Sequence, residues 1–129
     1  MNPRAGGASP APGVVLAVLG VSAVALGAFG AHALRDTLSP AQAGIWHTAV
    51  QYHFWHALAF ALAAILRPHG SAVRWAMWLF AVGVALFCGS LYALALGMPN
   101  WIGIITPFGG LAFIIGWIAL GIALVRRRG

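Results

Sequence analysis

The sequence predicts an all-α membrane protein, with four transmembrane helices in a compact antiparallel bundle. Three observations predict it. Of 129 residues, 62% are hydrophobic and only 6% are charged, whereas a soluble domain carries about a quarter of its residues charged. Four stretches are apolar over about 20 residues, the length a helix needs to cross a hydrocarbon core of about 30 Å. The few charges lie at the ends of those stretches. The same composition excludes a soluble enzyme and a disordered tail, and a single cysteine closes no internal disulfide. The net charge of +6 reflects a shortage of acids, with no arginine stripe along any element. Nucleic acid is therefore not an expected partner, and the lipid bilayer is.

Residues 1–12 form a Gly/Ala/Pro-rich leader without periodic pattern, expected to be disordered on the cytoplasmic side. The first span, about residues 13–34, stops at Arg35 and Asp36, a pair of opposite charges at its outer end. The second, 40–66, opens with Ser39 as N-cap, Pro40 at the first helical position and Gln42 where a capping box needs its reciprocal partner. At 1.5 Å per residue this helix is about 40 Å long, so its first two turns are expected in the headgroup region. Arg67, Pro68, His69 and Gly70 make the next turn, and the third span follows over 73–96. A Gly/Pro turn at 97–100 leads to the fourth span, 101–125, which ends at Arg126, Arg127 and Arg128. Within it Pro107 deprives the Gly103 carbonyl of its helix donor, a gap that Thr106 or a water would fill.

Arginine near span ends favours the cytoplasmic side. Arg4, Arg67, Arg74, Arg126, Arg127 and Arg128 share one face of a four-span topology and Arg35 stands alone on the other, so both termini are expected to be cytoplasmic. A competing reading takes the first span as a signal peptide cleaved near Ala31, His32 and Ala33. Its apolar run exceeds a usual signal h-region, and its glycines suit helix packing better.

Helices in lipid associate through small residues and polar contacts, because lipid tails are as apolar as leucine. Ala81, Ala85, Gly89, Ala93 and Gly97 recur at every fourth position of the third span, and Ala23, Gly27 and Ala31 do so on the first. These stripes are expected to pack the two helices together or to form a contact between subunits, in a homo-oligomer or a larger membrane complex.

The polar residues of the spans gather toward the outer half. His32 lies near the outer end of the first span. Thr48, Tyr52 and His56 form an i, i+4 row on the second with His53 beside it, Ser90 and Tyr92 lie on the third, and Thr106 on the fourth. Unpaired polar groups at such depth cost several kcal/mol, so these are expected to face the bundle interior and satisfy one another.

The order of GAFGAH (27–32), Tyr52 with His56, GSLY (89–92), TPxGG (106–110) and Gly116 with Trp117 resembles the YgdD-type small membrane proteins. That family is a domain of unknown function of bacterial inner membranes with relatives in animals. The resemblance implies a four-helix inner-membrane protein, supplies no activity, and does not include His53 as a fixed element.

The candidate polar cluster is thus His32, Tyr52, His56, Ser90, Tyr92 and Thr106, with His53 adjoining it. Up to three imidazoles, His32, His53 and His56, suit zinc or copper, and a haem needs two from different helices. No carboxylate is present to orient them, and no metal site or cofactor is expected. Ser90 with His56 lacks both a nucleophile-elbow pattern and an orienting acid, so no catalytic residue is expected. Cys88 is expected as a packing residue. His47 with Trp46 reads as interfacial, His69 as a loop residue, and Trp75, Trp78, Trp101 and Trp117 as interfacial or lipid-facing. Transport usually uses an intramembrane Asp or Glu, and Asp36 at a helix end is the only acid. The expected function is a non-enzymatic structural or accessory membrane protein; the alternative is binding or transport of a small solute, proton, metal, haem or lipid through the His/Tyr cluster.

Overall fold

The computed structural model describes residues 9–66 and 70–127. Most of the expected leader lies outside them, as do Arg67, Pro68, His69 and Arg128. Four stretches, Ala11–His32, Pro40–Leu66, Ser71–Ala95 and Asn100–Arg126, are long and apolar enough to cross a membrane, and the described residues contain no strand.

Helix α1, Ala11–His32, begins two residues before the expected 13. Pro12 lies in its first turn, where a fixed φ and a missing N–H are tolerated. A turn through 33–37 leads to α2, Pro40–Leu66. The capping box forms as expected: Ser39 N–H donates to Gln42 Oε1 at 2.9 Å and Gln42 N–H to Ser39 Oγ at 3.2 Å. Arg35 and Asp36 are both exposed and form no ion pair, which corrects the pairing expected of them.

The third and fourth spans are not single α-helices. The third comprises α3 (Ser71–Gly83), a π-helical turn (Val84–Cys88) and α4 (Gly89–Ala95). Gly97, at φ 88°, closes it: Met98 N–H reaches back to the Ala93 carbonyl and Gly97 N–H to that of Leu94. The fourth comprises a 3₁₀ segment (Asn100–Ile104) and α5 (Thr106–Arg126). Pro107 therefore sits in the first turn of α5 rather than inside a continuous helix, where its missing N–H breaks no helical bond.

Packing departs from the expected stripes. Ala85, Gly89 and Gly97 are exposed, and a Cβ on Gly89 or Gly97 would meet nothing within 4 Å. The π turn inserts a residue into the helical period, so positions four apart on either side of it no longer share a face. α1 packs along α2 instead of α3, with Gly27 beside Val50 and Gly30 beneath the Trp46 indole. The third span and α5 also approach closely at three glycines. A Cβ on Gly109 would lie 2.3 Å from Phe87 N, one on Gly83 2.3 Å from the Phe113 ring, and one on Gly116 2.8 Å from the Phe80 ring.

Around these contacts Phe60, Phe80, Met77, Val73 and Cys88 are fully buried. Val21, Leu58, Ile65, Trp75 and Ile118 are among the many large apolar side chains turned outward, as lipid-facing surfaces are. α2 and α5 meet chiefly through side chains, leaving a gap between their backbones that becomes important below.

Candidate functional site

His53 is the midpoint of α2, and it links three spans. Its Nε2 lies 3.0 Å from Ser22 Oγ on α1 and its Nδ1 2.9 Å from the Tyr92 hydroxyl on α4. Ser22 Oγ also lies 2.6 Å from the Val18 carbonyl and 3.1 Å from that of Leu19. A hydroxyl that close to a carbonyl must place its only proton there. Ser22 is therefore the acceptor from His53 Nε2–H, and with the ring in its neutral form His53 Nδ1 accepts from Tyr92 O–H. All donors point one way, Tyr92 to His53 to Ser22 to the α1 backbone.

His56, one turn further along, holds the opposite tautomer. Its Nδ1–H donates to the Tyr52 carbonyl at 2.8 Å, and its Nε2 accepts from Trp117 Nε1–H on α5 at 3.1 Å. The ring stacks on Phe113 with centroids 3.6 Å apart and planes 12° from parallel. Both imidazoles are thus buried and bonded at both nitrogens, although they stand only three residues apart.

A third unit joins α4 to α5. Ser90 Oγ donates to the Phe87 carbonyl at 2.9 Å, so the Thr106 hydroxyl is the donor to Ser90 Oγ. Trp46 fixes the far end of the bundle: it is buried, donates Nε1–H to the Leu26 carbonyl at 3.0 Å, and packs on Tyr92 with centroids 4.7 Å apart. The absence of a side chain at Gly30 makes this approach possible, since a Cβ there would lie 2.2 Å from Trp46 Nε1. Among the described residues no buried side-chain nitrogen or oxygen lacks a partner.

The expected cluster is therefore split. Tyr92 joins His53, Ser90 joins Thr106, and His56 joins Trp117 with Tyr52 stacked on it at 5.9 Å. His32 is excluded: it is the last residue of α1 and is exposed. The three-imidazole set does not assemble, and His53 and His56 point to different neighbouring spans. No group of three His, Cys, Asp or Glu side chains is close enough to hold a metal among the described residues. Ser90 and His56 do not bond each other. Thr48 bonds its own helix at the Gly44 carbonyl.

Three participants were not expected. Ser22 is the only hydroxyl inside α1, which was a usable signal. Trp117, expected at the interface or facing lipid, has its ring half outside, but its N–H turns inward to His56. Trp46, expected at the interface, is buried at 5% exposure.

Residues 26–110 match a family described as protein of unknown function (DUF423). The chain is 44% identical over 113 residues to the UPF0382 membrane protein YwdK of Bacillus subtilis, covering 85% of this chain and 92% of that protein. It is also 44% identical over 108 residues to a UPF0382 membrane protein of Staphylococcus epidermidis, covering 83% and 88%. A Staphylococcus aureus relative is 43% identical over the same length. No solved structure matches.

Proposed function

The chain belongs to the DUF423 family, and from that premise we propose that it is a non-catalytic structural or accessory protein of the bacterial inner membrane. The observation that carries this reading is that both buried histidines are bonded at both nitrogens, three of the four bonds running between spans and the fourth, from His56 Nδ1, staying within α2. Polar groups used in this way hold helices together in lipid. The donor chain from Tyr92 ends on the backbone carbonyls of Val18 and Leu19, which supports a structural link over a proton path. The bonds from Ser22 and Leu26 to α2 give the first span a part in the folded protein, which favours its retention over cleavage.

The order of the GAFGAH, GSLY and TPxGG segments supports placing the chain beside YgdD-type proteins, with relatives in animals. The arginine asymmetry supports cytoplasmic termini. Alkaline phosphatase fused after Gly129 is expected to stay inactive, and activity there would overturn that orientation. Assembly into a homo-oligomer or a larger membrane complex suits the exposed small residues Ala85 and Gly89.

The purified protein is expected to be colourless and free of stoichiometric metal, because neither imidazole has a free lone pair to offer. Elemental analysis and a visible spectrum check this. A metal at one equivalent, or a haem absorption band lost in His56→Phe, would replace the structural reading with cofactor binding.

A further inference from the structure

The gap between α2 and α5 is a lipid-facing cleft of about 680 Å³, within the usual size of a small-molecule site. Its rings are ordered. Tyr52, His56 and Phe113 lie nearly parallel, 10° apart for the first pair and 12° for the second, with Phe87 tilted against Tyr52 at 4.6 Å. Trp55 and Trp117 also line the cleft. Gly110 contributes no side chain to the wall, and its nearest neighbour, the Phe87 ring, would be 3.8 Å from an added Cβ.

The polar groups around this cleft are not equivalent. His56 and Trp117 consume each other's ring N–H and lone pair, and the His56 Nδ1–H goes to backbone. The Tyr52 hydroxyl has no hydrogen-bond partner among the described residues. An unpaired O–H donor on a residue lining a lipid-facing cleft, together with the half-exposed indoles of Trp55 and Trp117, matches a flat ring that carries a hydrogen-bond acceptor and partitions into lipid. A plain acyl chain offers neither the ring nor the acceptor.

We propose that the α2–α5 cleft binds a lipid-soluble quinone, with its ring packed against the half-exposed indoles of Trp55 and Trp117 and a carbonyl oxygen accepting from Tyr52 O–H. The tail leaves through the open side into the bilayer. This is a binding site, with no electron transfer implied, and it goes beyond the structural role, which stands whichever way the experiment falls.

The test uses decylubiquinone and the fluorescence of the full-length protein in nanodiscs, where Trp55 and Trp117 report from the cleft. Saturable quenching is expected in the wild type. Gly110→Leu places a side chain in the cleft without backbone conflict and should weaken binding at least about tenfold while leaving the melting temperature unchanged. Leu58 lines the cleft from the α2 side, and Leu58→Phe obstructs it there if Gly110→Leu does not fold. Tyr52→Phe should weaken binding about three- to tenfold, the worth of one neutral hydrogen bond. Quenching that rises linearly with quinone, survives both obstructing variants, or is displaced equally by excess phospholipid would overturn the proposal, because each means simple partition or an ordinary lipid position.

Discussion

Gly109→Ala is expected to be the most damaging single-methyl change in the protein. The added carbon would lie 2.3 Å from Phe87 N and 2.7 Å from both Phe87 Cα and Cβ. Two of those atoms are backbone, so no rotamer change relieves the conflict. The third span and α5 must instead move apart by about 1 Å to reach an ordinary contact, and that movement loosens the neighbouring contacts of Gly83 on Phe113 and Gly116 on Phe80. Overpacking a tight core typically costs about 1 to 3 kcal/mol, and a backbone clash belongs at or above the top of that range. A loss of about 3 kcal/mol is a large share of an ordinary protein's stability. Membrane-fraction yield and a thermal melt in detergent should both fall sharply. Gly110→Ala is the control: its new carbon would be 3.8 Å from the Phe87 ring, and its melt should match the wild type within about 0.5 kcal/mol. Equal melts for the two variants would mean that the helices do not approach as closely as described.

His53→Phe is expected to have the next largest effect. It removes the bonds to Ser22 and Tyr92 together and so detaches α1 and α4 from α2 at the middle of the bundle. Hydrogen bonds between membrane helices average only about 0.6 kcal/mol, with the strongest near 1.7. Lost bonds alone would therefore make a modest effect. The larger contribution comes from Tyr92, whose hydroxyl keeps its proton and loses its acceptor, at a cost of about 1 to 3 kcal/mol. Ser22 suffers less, because its own proton remains on the α1 backbone. Together these give about 2 to 4 kcal/mol, measured as a lower melting temperature with the helix content retained.

Much of this arrangement was legible in the residues, and the failures have physical causes. Ser39 and Gln42 were readable because a capping box is a local pattern whose geometry depends on four residues only. The extents of the spans followed from hydropathy for the same reason. The small-residue stripe through Ala85 and Gly89 misled because counting in fours assumes an unbroken α-helix, and the π turn at Val84–Cys88 breaks the count. Gly83, lying off that stripe, became the true contact. His56, Ser90, Tyr92 and Thr106 were recognisable as polar residues that bond within the bundle, but their division into separate pairs depends on which spans adjoin, and Tyr52 lines the α2–α5 cleft with its hydroxyl unpaired. His32 was expected in the cluster from its depth near the outer end of the first span, but as the last residue of α1 it turns outward, whereas Gly27 and Gly30 make room for Val50 and Trp46. Trp117 was misjudged because a half-exposed indole can present its ring to lipid and its N–H to the interior.

The central claim is that the buried imidazoles connect spans rather than serve a reaction, and the coupling between His53 and Tyr92 tests it most directly. Four proteins suffice: wild type, His53→Phe, Tyr92→Phe and the double variant, each unfolded reversibly in the same detergent. A connecting role predicts that removing the Tyr92 hydroxyl costs less once His53 is gone, because it deletes a stranded donor. The double variant should therefore be at least as stable as His53→Phe alone, with a coupling energy of about 1 kcal/mol or more. Costs that simply add would contradict the claim, since two residues that do not feel each other cannot be holding two helices together.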